Sequence, residues 1–300
     1  MRLSLTRSRR IRLSLLLLAA MPGGAQWLRY PTPHVPRQPN GEPNLSAPAP
    51  RTVEGKPDLS GIWTASTTLP DRSCPPTEVC IRQEPLPIQA IDIGYSSVEQ
   101  LKLFAAGSLP SLLPYQPWAA DLVKQRMAAQ AAPPTRTEKA ANIDPHARCL
   151  PPNFPRAWAL PQYKKIVQTP GLLVILHEFD VSYRQIFTDG RPLPVDPQPS
   201  WNGYSSGSWV GDTLVVDTIG FRDDLWLDIM GNPLTEAAKV TERIRRINYG
   251  TLEIQVTVND PKAYTKAWTV RLNQSIVLDT ELLDEVCLEN ERDVEHYVAK

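Results

Sequence analysis

The stretch QTPGLLVILHEFDVSYRQIFTDGRPLP at residues 168–194 decides the fold, with its continuations WNGYSSGSWVGDTLVVDTIGF at 201–221 and KVTERIRRINYGTLEIQVTVNDPKAYTKAWTVRL at 239–272. Short runs rich in Val, Ile, Thr, Tyr and Trp are separated by Asp189-Gly190, Gly211-Asp212, Tyr249-Gly250 and Asn259-Asp260-Pro261. Gly accepts positive φ, Asp and Asn bond their own backbone, and Pro presets φ, so these are turn signals with a mechanism. Strand, turn and strand at this spacing predict an antiparallel meander of the kind found in barrels and sandwiches. Strands are expected at Leu172 to Phe179, Tyr183 to Phe187, Ser206 to Val210, Thr213 to Thr218, Val240 to Ile247, Leu252 to Val258 and Ala267 to Leu272. The first is apolar on both faces until His177 and Glu178, which predicts a strand covered on both sides. In Leu252 to Val258 apolar and polar residues alternate, which predicts one wet face.

Upstream, the domain is expected to begin at PDLSGIWT, residues 57–64, and to run as a single β domain to residue 300. Val98, Leu101, Phe104 and Ala105 recur at helical spacing, as do Trp118, Leu122, Val123 and Met127. These predict a helical insertion at about residues 96–132, ended by Pro133-Pro134. Residues 142–169 are broken by prolines yet carry Phe154, Trp158 and Tyr163, which predicts an ordered loop that is either an arm wrapped on the core or a wall of a ligand site.

The amino terminus reads differently. Arg2, Arg7, Arg9, Arg10 and Arg12 precede an apolar run from Leu13 to Met21 and the small residues Gly23-Gly24-Ala25. That is the plan of a secretory signal peptide over residues 1–25, and its apolar run is too short to span a bilayer. Ser8-Arg9-Arg10 also resembles a twin-arginine export signal. The expected location is periplasmic or extracellular. The five arginines leave with the signal, so the balance of 32 basic and 32 acidic residues becomes 27 against 32, a formal −5. Such a chain has no electrostatic footprint for nucleic acid, and no further apolar run is long enough for a membrane helix. Residues 26–56, dense in Pro, Asn, Gly and Ser, read as a mobile linker.

Four cysteines in an oxidising compartment read as two disulfides, for which three pairings exist. Cys74 and Cys80 flank Pro75-Pro76, where a short bridge would clamp the loop, and this leaves Cys149 with Cys287. No C-x-x-C pair supports a thiolate metal site. No cofactor fingerprint, nucleophile elbow or H-E-x-x-H helix is present.

Candidate chemistry rests on ionisable residues of the strands. His177 and Glu178 need partners if buried, and Arg184, Asp189, Arg191, Glu242 and Arg243 are available in the meander. A His–carboxylate–Arg set can do acid/base work. Trp201, Tyr204, Trp209 and Trp268, with Arg243, are the candidates for contacts to a small ligand, and Trp226 adds a further aromatic. Asp223, Asp224 and Asp228 lack the spacing of a calcium loop and read as solvated turn carboxylates.

PDLSGIW (57–63), CLPPNFPR (149–156), QTPGLLVIL (168–176), IFTDGRPLP (186–194), GDTLVVDTIGF (211–221), VTERIRR (240–246) and DPKAYTKAW (260–268) together resemble a family of uncharacterised exported bacterial proteins. That family brings no activity to carry over. Separately, Gly61 and Trp63 resemble the G-x-W signature of lipocalins and other calycins, which implies a barrel with the Trp closing one end. The expected function is binding of a small, partly apolar organic molecule in a barrel. The alternatives are a hydrolase, lyase or isomerase using His177 with a carboxylate, or a structural module of the cell envelope. The oligomeric state stays open.

Overall fold

A computed structural model describes residues 30–66, 80–81, 113–131, 144–228 and 230–289. The strands are β1 (Gly61–Ala65), β2 (Cys80–Ile81), β3 (Lys164–Thr169), β4 (Leu172–His177), β5 (Ser182–Phe187), β6 (Tyr204–Val210) and β7 (Thr213–Ile219). They continue as β8 (Leu225–Trp226), β9 (Pro233–Leu234), β10 (Lys239–Asn248), β11 (Thr251–Asn259), β12 (Trp268–Arg271) and β13 (Gln274–Val277). Helix α1 spans Pro117–Ala131 and a single helical turn, α2, spans Arg156–Ala159.

Nine strands close a mixed barrel in the order β10-β7-β6-β5-β4-β3-β1-β13-β11, and β11 pairs back onto β10. The barrel and its helical insertion follow the turn spacing of the sequence; the helix expected at Ser96 to Ala106 lies outside the described residues. All ring pairings are antiparallel except β5 with β6, which share the parallel pairs Ile186↔Ser205 and Phe187↔Ser206. A parallel pair needs a crossover, and the proline-rich residues 188–203 supply it. That adds a departure from the eight-stranded up-and-down lipocalin plan. β12 continues the β13 edge along β11, and β2 adds to β12 in parallel.

The tight turns after β3, β6 and β10 gather at one rim, the hairpin end. The four-residue connection after β4 and the longer ones after β7 and β11 gather at the other, the loop end. Period-two alternation places Ile166, Leu173, Ile186, Leu214, Ile244 and Ile254 inside, toward the hairpin end. Trp63 is fully buried there, its indole donating to the Leu59 carbonyl at 3.1 Å with the Arg246 guanidinium over the ring. Gly61 holds φ +140, and a side chain there would meet that indole. The G-x-W pair thus has a mechanical reason: backbone freedom first, then a closing ring.

Two expectations are corrected. The outer face of β4 is not covered: Leu172 and Val174 are half-buried and Leu176 is 38 % exposed. Residues 30–56 are tied to the hairpin end rather than left as a free linker. Tyr249 and Gly250 donate backbone N–H to Ala47 and Leu45, Arg51 forks onto Asp212, and Thr32 exchanges bonds with Asp279. At the loop end, Cys149 bridges Cys287 across 138 residues of sequence, as expected, and docks the segment that follows β13. The expected Cys74–Cys80 bridge lies outside the described residues.

Candidate functional site

Toward the loop end the inward positions turn polar. Lys164, His177, Arg184, Ser205, Thr218, Glu242 and Gln274 are all buried. The segment 150–163 is too rich in proline to join the sheet, and it enters this polar end as a plug rather than wrapping the outside. Trp158 and Phe154 are its apolar anchors, packed edge to face at 5.2 Å. The Trp158 indole donates to Glu242 Oε1 at 2.6 Å. Gln274 Nε2 donates to the Trp158 carbonyl at 2.7 Å, and Lys164 Nζ donates to the carbonyls of Ala157 (3.1 Å) and Leu160 (2.6 Å). Side chains of β3, β10 and β13 thereby satisfy the carbonyls and indole that a buried irregular segment exposes.

At the centre Arg184 forks onto Glu242, both nearly fully buried, with Nη1 3.0 Å from Oε1. Arg184 also donates to Thr218 Oγ1 at 2.9 Å and to Ser205 Oγ at 3.2 Å, and its guanidinium lies 5.0 Å from the Phe154 ring centre. The pair is therefore charge-balanced and hydrogen-bonded, which is what makes two buried charges tolerable.

His177 differs in that no polar atom of its side chain has a partner of normal geometry. It is 2 % exposed and sits between Phe154 and Phe179, with ring centres 6.2 and 6.1 Å away. Burial, and then the charge of Lys164, push its pKa down to about 3; the Phe179 backbone opposes this only a little. Neither ring nitrogen makes a hydrogen bond of normal geometry. Its cross-strand partner is Lys164, whose pKa burial pushes down to about 7 against the pull of Glu178. On the far side of Phe179, at 4.0 Å, lies His146, also pushed down, to about 4, by burial. It shares its short 3-10 turn with Asp144, which forks onto buried Arg156 at 2.7 and 2.8 Å.

The structure brings together His177, Arg184 and Glu242 of the expected catalytic set. It does not bring in the others. Glu178 points to the outer face and its carboxylate accepts from the N–H groups of Tyr163 and Leu283, pinning the segment after β13. Asp189 sits in an exposed turn forked by Arg191. Arg243 is exposed on the outer face of β10. The aromatic candidates are dispersed: Tyr204 stacks on Phe187 at 5.2 Å outside the barrel, and Trp201 lies under Arg222 in the crossover. Trp209 packs on the core toward the hairpin end, and Trp268 is buried against Tyr264. Asp223 and Asp224 are surface carboxylates paired with Lys262 and Arg222. Asp228 is not solvated: it accepts from the backbone of Met230 and Asn232 and from Asn232 Nδ2, and burial pushes its pKa up.

Lys164 was not singled out from the sequence, and Trp158 was named only as an aromatic of the irregular loop. In KKIVQT the pair Lys164-Lys165 reads as solvent-facing, and only the alternation of β3 with Ile166 inward reveals that Lys164 points in. Among the described residues no three His, Cys, Asp or Glu side chains converge as metal ligands would. Comparison with protein families, curated proteins and solved structures returns no match for the chain.

Proposed function

We propose that this is an exported lipocalin-like barrel that binds a small, partly apolar organic molecule at its loop end, around His177. The observation that carries this reading is the imidazole itself, buried between two phenyl rings with neither nitrogen in a hydrogen bond of normal geometry. An unsatisfied buried polar group costs about 1–3 kcal/mol, and its neighbours Arg184, Glu242, Trp158 and Lys164 all have partners. A neutral imidazole offers one donor and one acceptor, so a hydroxyl or carbonyl group on an apolar body matches it. Phe154, Phe179 and His146 supply the apolar walls. The Cys149–Cys287 bridge is in keeping with export.

The test is a thermal melt of wild type and His177→Phe against a panel of small aromatic alcohols, aldehydes, ketones and sugars. The expected result is a ligand-induced rise in wild type that His177→Phe loses while its unliganded melt is kept. A His177→Phe protein that keeps every ligand-induced shift removes His177 from the site.

A further inference from the structure

Lys164 has no role in the binding reading beyond holding the plug, yet its surroundings are those of a reactive amine. It is fully buried, and Arg184 and Glu242, buried on the same inward side of the barrel, already pair with each other. No carboxylate lies within ion-pair distance of Lys164 among the described residues. Buried charges are paired or give up their charge, so the neutral amine is the form this environment favours. A neutral amine has two N–H bonds and one lone pair. Both N–H bonds are accounted for by the carbonyls of Ala157 and Leu160. Tetrahedral geometry then turns the lone pair away from the plug. His177 lies directly across the β3–β4 ladder on the same inward face, and neither of its ring nitrogens makes a hydrogen bond of normal geometry. Directly opposed side chains on one face lie with Cβ atoms about 4.5–5.5 Å apart.

We propose that Lys164 is a nucleophilic amine that captures a small, partly apolar aldehyde or ketone as an imine, with His177 relaying the proton. In the first step the nitrogen lone pair forms an N–C bond to the carbonyl carbon and the C=O π pair moves onto oxygen. Neutral His177 takes the proton that nitrogen sheds and delivers one to that oxygen, giving a carbinolamine. In the second step the imidazole delivers a proton to the hydroxyl, the C–O bond breaks and the oxygen leaves as water, the nitrogen lone pair forms the C=N bond, and the imidazole takes up the remaining N–H proton to leave a neutral imine. Atoms and charge balance with no oxidant or reductant. Desolvation is a recognised way to keep a lysine nucleophilic at neutral pH, and the depressed pKa of about 7 agrees with it.

This inference rests on the binding reading, because the carbonyl compound is the ligand assigned to the His177 wall. The experiment separates the two. Intact protein is incubated with benzaldehyde and sodium cyanoborohydride near pH 7.5, which reduces any imine to a stable secondary amine, and the modified residue is found by peptide mass mapping. The expected result is one adduct at Lys164, formed at least tenfold faster than at exposed Lys239 or Lys262, and slowed at least tenfold in His177→Phe. The wild-type map alone decides the site, so a Lys164→Met protein that fails to fold does not matter. Adducts only on surface lysines overturn the covalent proposal. A melt raised by benzaldehyde and by benzyl alcohol alike, without a Lys164 adduct, keeps the binding reading and overturns the imine. A Lys164 adduct whose rate is unchanged in His177→Phe overturns the relay assigned to the imidazole.

Discussion

The two ends of the barrel are built from the same strands and solve opposite problems. At the hairpin end the turns are tight, the inward residues are aliphatic, and Trp63 under Arg246 closes the space. The polar contacts of that end lie at the rim, where Arg246 donates to the carbonyls of Asp58, Ser60 and Tyr249 and residues 30–56 are tied on. At the loop end the inward residues are Lys, His, Arg and Glu, and the space is filled by a proline-broken plug whose backbone they must satisfy. The apolar end follows from alternation alone. The polar end works only as a network, and a network leaves a visible remainder at His177, neither of whose nitrogens has a partner of normal geometry. That remainder is where function is to be sought.

The largest effect is expected where the loop end is tied down. Replacing both Cys149 and Cys287 by Ser opens a closure of 138 residues, and the loop-entropy relation sets the loss at about 4–5 kcal/mol. Urea unfolding measures it, and a loss below about 1 kcal/mol means that the tail is held without the bridge.

The next contrast sets one end against the other. Glu242→Gln leaves Arg184 buried without its counter-charge and is expected to cost about 3–5 kcal/mol. Ile254→Ala, at the hairpin end, is expected to cost about 2–5 kcal/mol as a cavity. The difference lies in rescue. Adding Arg184→Met to Glu242→Leu is expected to recover most of the first loss, because two apolar groups can replace a buried pair. No second substitution of a neighbour is expected to do the same for Ile254→Ala. A double variant as unstable as Glu242→Gln alone refutes the network account of the loop end.

Acid tests the same end more gently. His177 and His146 have folded pKa values of about 3 and about 4, below the ordinary 6.5. Between those values and 6.5 the unfolded chain binds more protons, so stability falls as pH is lowered through that window. Each group contributes at most about 1.4 kcal/mol per pH unit. Lys164 has the same sign higher up: stability falls as pH drops from 10.5 toward 7. His177→Phe with His146→Phe is expected to flatten the acid limb between pH 6.5 and 4. An unchanged limb would show that other groups set it.

The smallest effect is expected on the outside. Asp189→Ala and Arg243→Ala alter exposed positions, and neither is expected to shift the melt or a ligand response measurably.

Several of these features were legible in the chain. Turn residues at 189–190, 211–212 and 249–250 and the alternation of Leu252 to Val258 give a closed β architecture, because strand period and turn chemistry are local properties. Gly61 and Trp63 were legible for the same reason. His177, Arg184 and Glu242 were legible as buried ionisable residues on strands, though not as neighbours. Glu178 and Asp189 were drawn into the candidate set by proximity in sequence. Adjacent strand residues face opposite sides, and that is why Glu178 left the site while His177 stayed. Trp158 was legible as a loop aromatic, but its place inside the barrel was not, because prolines around it erase any period; Lys164 was hidden because its neighbour Lys165 makes the pair look solvated.

What the sequence determined, then, is whatever a residue's own backbone preference and its period dictate: strands, turns and the inward parity of each apolar run. What only the tertiary structure decided is which segment fills the polar end and which ionisable groups meet there. Burial and pairing depend on partners brought from 20 to more than 100 positions away, as in Arg184 with Glu242, Trp158 with Glu242 and Gln274 with Trp158. No local rule carries that distance, because the free energy of a buried charge is set by what the fold places against it and not by the residues beside it in the chain.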